Sequence, residues 1–278
     1  MKRLSNIVLP IALLALSSVH TADAITDGSP DGNGHPFVGL MVAYDADGNA
    51  LWRCSGTLLV GGRKFLTAGH CTEEPAKSAR IWFDADVQSL AACFSGGPGD
   101  DCYPYGGGDS HAATNIYTHP DFYTASFVRH DVGVVVIDEQ VTKSAYGRLP
   151  AVNQLDSLKT KRGIQDVTFT AVGYGMQKSF PDAASFHNSA LKIRMVATPK
   201  LNQINVPGFT GDFSMLLSNN ANTGGTCFGD SGGPNFLGSS NVVAGVTSFG
   251  INGNCAGTGG VFRMDRQNVL AFINAVPE

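Results

Sequence analysis

Charge is scarce in this chain. Asp, Glu, Lys and Arg make up 15% of its 278 residues and leave a net charge of −4. There is no basic footprint with which to grip nucleic acid, and no such partner is expected. Cys-x-x-Cys and His-Glu-x-x-His are both missing, which removes the common zinc signatures. Neither a metal nor a cofactor is expected. No Asn-x-Ser/Thr sequon occurs, a small indication against a glycosylated product. Beyond Ala24 no stretch is apolar enough to span a bilayer, so no membrane partner is expected.

What is present reads as an exported globular chain. Hydrophobic residues reach 43%, enough for one large β domain or two smaller ones with a sizeable core. Lys2 and Arg3 open a positive start, an apolar run follows from Ile7 to Val19, and Ala22-Asp23-Ala24 is a small-x-small cleavage pattern. Residues 1–24 therefore read as a secretory signal peptide, and the run is too short for the rival reading, a membrane anchor. The mature, extracellular chain would be residues 25–278, soluble, mildly acidic and expected to be a monomer. Six cysteines, at 54, 71, 93, 102, 227 and 255, suggest three disulfides in an exported protein; sequence alone leaves 15 pairings open.

Along the chain the pattern is β-rich. Val38–Tyr44 and Leu51–Val60 flank Asp45-Ala46-Asp47-Gly48 and predict a hairpin. Ile81–Phe83, Val132–Ile137, Val167–Tyr174, Leu191–Ala197 and Val242–Ser248 are further strand candidates, rich in β-branched and aromatic residues. Ser95–Gly108 is a glycine-rich surface loop with Cys93 before it and Cys102 inside it, pinned by a disulfide. One helix is predicted near the end. There Val269, Phe272, Ile273 and Val276 recur at helical spacing after Asp265, a candidate N-cap. A division near residue 145 rests on length alone, not on a shift in composition.

Three segments carry chemistry. Gly229-Asp230-Ser231-Gly232-Gly233-Pro234 offers a serine between glycines. A hydroxyl nucleophile needs a base to take its proton and backbone N–H groups to hold the oxyanion it generates. Gly-x-Ser-x-Gly also fits an α/β-hydrolase elbow, where the histidine follows the serine. All seven histidines precede Ser231, which excludes that arrangement. The base must lie upstream, and Leu66-Thr67-Ala68-Gly69-His70-Cys71 supplies it. His35-Pro36 and His119-Pro120 read as turns. Asp131 stands before the apolar run Val132–Ile137, where burial would demand a partner for its carboxylate.

In the order His, Asp, Ser, these segments resemble the chymotrypsin/trypsin-like serine proteases over nearly the whole mature chain. The resemblance implies an all-β fold of two six-stranded antiparallel β-barrels, about 25–145 and 146–278, with the site in the cleft between them and a C-terminal α-helix. It implies an endopeptidase acting on protein or peptide substrates. Ser231 would be the nucleophile, His70 the base, Asp131 the orienting acid, and the N–H groups of Gly229 and Ser231 the oxyanion hole. Ser248 would bond the buried acid. Gly225, Thr226, Ser248, Phe249, Gly250 and Gly260 would shape the substrate pocket. Gly225, the expected pocket floor, carries no charge, so a large apolar or aromatic P1 residue is expected. Cys54–Cys71 and Cys227–Cys255 match family disulfides and leave Cys93–Cys102. Tyr174 and Phe249 replace usual tryptophans and are expected to keep an aromatic wall. Ile25 would start the mature chain, its free amine pairing with Asp230. The alternative is a catalytically inactive homologue serving as a binding module.

Overall fold

A computed structural model describes residues 25–90, 107–122, 129–158, 166–177 and 191–278. The signal-peptide reading, Cys93, Cys102 and most of the glycine-rich loop lie outside the described residues. No described helix is long and apolar enough to cross a membrane.

The strands fall into two curled sheets. The first is seven-stranded, ordered β6-β5-β2-β3-β4-β8-β7. Its strands are β2 (Val38–Tyr44), β3 (Ala50–Leu58), β4 (Lys64–Thr67), β5 (Ser78–Trp82), β6 (Ser110–Ala113), β7 (Asn115–Thr118) and β8 (Gly133–Val136). Its two edges, β6 and β7, are halves of one segment interrupted only at Thr114. The backbone N–H of Thr114 goes to the Asp138 carboxylate instead of the ladder, at 2.9 Å. One segment thus pairs with β5 at one end and β8 at the other, which closes the sheet on itself and leaves no free edge.

The second sheet is eight-stranded, ordered β1-β10-β9-β13-β14-β15-β12-β11. It contains β1 (Ser29–Pro30), β9 (Phe169–Gly173), β10 (Met195–Ala197), β11 (Leu201–Val206), β12 (Gly211–Asn219), β13 (Pro234–Leu237), β14 (Val243–Gly250) and β15 (Gly257–Arg263). Here β10 and β11 are the two parts of one bent segment. Between them Pro199 has no N–H to give, and the N–H groups of Thr198 and Lys200 turn to Thr223 O and Ser218 Oγ. Counted as continuous segments, each barrel has the expected six strands. The two-residue β1 is an addition from the N-terminal end of the chain.

The β2–β3 hairpin forms as predicted, because Asp45 Oδ1 accepts from the N–H groups of Asp47 and Asn49 inside the turn. The helix α1 spans Gln267–Ala275, and Val269, Ile273 and Val276 join the large core cluster that holds residues of both sheets. One expectation fails: Asp265 is not its N-cap. Its carboxylate turns inward, taking two hydrogen bonds from the fully buried Arg263 and one from the Leu155 N–H. Arg266 occupies the cap position without a side-chain cap bond.

Candidate active site

Strand register brings the first two residues together. β4 runs antiparallel to β8 with Thr67 opposite Gly133. Residues just after Thr67 and just before Gly133 therefore emerge at the same end of the barrel. The chain leaves β4 into a single 3-10 turn, Gly69–Cys71, held to β3 by the Cys54–Cys71 disulfide. That turn presents His70 to Asp131. The Asp131 carboxylate is fully buried and lies 2.9 and 3.0 Å from His70 Nδ1; it also accepts the His70 backbone N–H at 2.9 Å. The bond to Nδ1 fixes the tautomer that leaves Nε2 as the proton acceptor.

The second barrel completes the carboxylate's shell. β14 pairs with β15 through Thr247–Val261 and Phe249–Gly260. Ser248 falls in the register shift between them, a bulge that re-aims its side chain. Its hydroxyl donates to Asp131 Oδ2 at 2.5 Å. Burial depresses the His70 pKa, but Asp131's charge and hydrogen bond, with the charge of Glu73, outweigh it and hold the ring above its ordinary value.

Ser231 lies in the turn ahead of β13, in the wall of a cleft of about 110 Å³ that Ser248 also lines. Among the described residues, no hydrogen bond joins its hydroxyl to His70. The backbone around it is organised. Asp230 N, Gly232 N and Gly233 N each donate within the fold, whereas Gly229 N and Ser231 N have no backbone acceptor among the described residues. The carbonyls of the same two peptide planes are anchored: Phe228 O accepts from Met176 N, and Asp230 O from Gly233 N, both at 2.8 Å. In a trans peptide the N–H points away from its C=O, so anchoring the carbonyls aims both free N–H groups. Gly229 has φ +91°, accessible to glycine at little cost.

The Trypsin family profile matches residues 31–273. The chain belongs to the trypsin family. No curated protein matches it in sequence. Among solved structures it is similar to HL collagenase, at 20% identity and TM-score 0.66, over 91% of this chain and 100% of the other. It is similar to HBP at 14% identity and TM-score 0.61, over 91% and 98%. Likeness at these identities is one of fold.

Seen in this trypsin fold, the expected pocket residues divide. Thr226, Ser248, Phe249 and Gly250 line the cleft beside Ser231, together with Phe228, Asn252, Thr258 and Gly259. Gly225 and Gly260 stand behind that lining. A Cβ on Gly225 would meet Asn219, and one on Gly260 would meet the Phe249 ring. Gly259, which the sequence did not single out, lines the cleft and faces Thr226 Oγ1. Tyr174 is no cleft wall either. It is a fully buried core residue whose hydroxyl donates to Asp84 O and accepts from Arg194. The Cys227–Cys255 bond ties the pocket's two flanks.

Sequence reasoning missed Ser55 and Asn219. Ser55 Oγ accepts from Tyr174 N and donates to Gly229 O, fixing the Gly229–Asp230 peptide just ahead of Ser231. Asn219 bridges Thr26 Oγ1 to Thr226 O, linking the first described residues to the pocket. Both are small polar side chains within ordinary strands, and nothing local in the sequence sets them apart.

Asp230 is fully buried and accepts from Gly175 N and Cys227 N. Burial pushes its pKa up to about 7, against those two bonds and the charge of Arg53. Ile25 is also buried, among Ala171, Met195 and Ala197. Among the described residues no hydrogen bond or ion pair links Ile25 to Asp230.

Proposed function

We propose that this chain is a secreted serine endopeptidase in which His70, Asp131 and Ser231 act as a catalytic triad. The observation that carries the reading is the hydrogen-bonded chain Ser248–Asp131–His70, with Ser248 and Ser231 lining one cleft and the N–H groups of Gly229 and Ser231 unengaged by any backbone acceptor among the described residues. With a peptide bound, Ser231 Oγ attacks the scissile carbonyl carbon while His70 Nε2 takes its proton. The N–H groups of Gly229 and Ser231 receive the oxyanion, each worth about 10²–10³ in rate. Asp131 keeps Nδ1 protonated and stabilises the imidazolium. His70 then protonates the leaving amine, and water, activated by the same imidazole, releases the acyl group from Ser231.

The cleft supports selectivity for a large apolar or aromatic P1 side chain. Among the described residues no charged side chain lines it, and an Arg or Lys buried there would lack a counter-charge. Cleavage after Ala24 would free the Ile25 amine to pair with Asp230, ordering the peptides around Ser231 and making signal-peptide removal the activating step.

The test is labelling of the secreted chain by an organophosphorus serine-hydrolase probe, with a P1 library profile. We expect labelling that Ser231→Ala abolishes, and a profile led by Phe, Tyr or Leu. An unlabelled, inert chain would favour a binding module; an Arg/Lys profile would overturn the pocket reading. N-terminal sequencing of active protein should begin at Ile25, and full activity in a chain beginning upstream would defeat the activation step.

A further inference from the structure

Two clusters of ligating side chains occur among the described residues: Cys54, His70 and Cys71, and His119, Asp121 and His130. In the first, both sulfurs are spent in the disulfide. The second is not used by the proposed chemistry. Its geometry follows from strand pairing. β7 and β8 run antiparallel with Thr118 opposite Gly133, and His119 N donates to Val132 O at 3.1 Å. His119, just after β7, is thereby brought against His130, just before β8; their rings stack at 5.0 Å. The 3-10 turn Pro120–Phe122 carries Asp121 back toward the pair, with Oδ2 3.9 Å from His130 Nε2.

Two further observations point to a ligand. His130 Nδ1 is buried without a hydrogen-bond partner, a state buried polar atoms seldom keep. Phe272 of α1 packs on His119 and Phe213 of β12 on His130, so the imidazoles sit in an aromatic, water-poor setting.

We propose that His119, Asp121 and His130 form a binding site for one divalent transition-metal ion of the Zn²⁺ class. Two imidazole nitrogens and one carboxylate oxygen are a borderline donor set suited to Zn²⁺, Ni²⁺ or Cu²⁺, with a fourth position left for water. One ligand atom from each residue lies within 4.8 Å of the others. Four-coordinate zinc brings such atoms to about 3.3 Å from one another, so binding draws the three side chains together. Asp121 N donates to His119 Nδ1 at 3.2 Å; coordination through that nitrogen replaces this bond. The proposal is independent of the protease reading.

The test uses the mature chain carrying Ser231→Ala to prevent autolysis, stripped with EDTA and titrated with Zn²⁺ by calorimetry. We expect one ion per chain, bound at least tenfold more weakly after His130→Ala and after Asp121→Asn. The Asp121 side chain is largely exposed, so that variant keeps the fold even if loss of His130 disturbs it. His35→Ala and His111→Ala should leave the affinity unchanged. Co²⁺ should give the visible absorption of a four-coordinate site, lost in the His130 variant. Absence of binding, or unchanged affinity in both His130→Ala and Asp121→Asn, would overturn the site.

Discussion

Two carboxylates are fully buried beside the cleft, Asp131 and Asp230, and their surroundings differ. Asp131 meets an imidazole, a backbone N–H and a hydroxyl. Its partners come from both barrels and are complete in this structure. Among the described residues Asp230 meets two backbone N–H groups and the charge of Arg53, and burial pushes its pKa up to about 7. A buried acid with a complete shell holds its geometry at rest. One short of a counter-charge is stable only while protonated, or once a cation arrives. The contrast is what an activation step requires, with the Ile25 amine as the cation proposed.

The largest expected effect removes the complete shell's purpose. Asp131→Asn should lower kcat by about 10⁴, because the amide favours the wrong His70 tautomer; steady-state kinetics on folded protein checks it. A drop of less than tenfold would mean that Asp131 does not orient the base.

Asp230→Asn in the mature chain should come next. It leaves the Ile25 amine unpaired, costing about 3–5 kcal/mol, and should lower kcat/KM by about 10²–10³ as the aimed N–H groups lose their order. Wild-type activity in this variant would end the comparison.

The same residue gives a stability test in the uncut chain. Its pKa rises on folding from 3.8 to about 7, so the folded state holds the proton more tightly. That contribution is fully present below about pH 4 and is lost as pH rises through 7. Denaturant unfolding of the uncut Ser231→Ala chain should lose roughly 4 kcal/mol across this window, and Asp230→Asn should flatten it. In the mature chain the slope should shrink, because the amine stabilises the carboxylate.

The smallest effect concerns His70. Its pKa is held above the ordinary 6.5, so kcat/KM should fall on acidification with a midpoint above that value. Removing Glu73's charge, which helps hold it up, should move the acid limb of Glu73→Gln to lower pH with little change in the plateau. An unmoved limb would leave Asp131 as the only carboxylate acting on the ring.

Much of the fold was legible because burial leaves a period in the sequence. β2 coincides with the predicted Val38–Tyr44, and β8, β9 and β14 fall within or against their predicted runs. β12 and β15 were not singled out. They carry runs such as Gly-Asp-Phe-Ser and Gly-Thr-Gly-Gly, in which side chains are too small or too polar to signal a strand. Asp265 looked like a cap because capping is a local preference. It lost to Arg263, a buried cation three-dimensionally committed to it, and a buried charge outweighs a cap.

The sequence by itself determined the residue types and their order: an acid ahead of an apolar strand, a histidine beside a cysteine, a serine among glycines. These are local facts, and local chemistry selects them. Only the tertiary structure decided which glycine faces the cleft and that Tyr174 belongs to the core. It also decided that His119 meets His130, and supplied the bulge by which Ser248 reaches Asp131. Each of these depends on the register between strands far apart in the chain, where a shift of one residue reverses the side a side chain faces. Register is set by the packing of the whole barrel, which no single segment encodes.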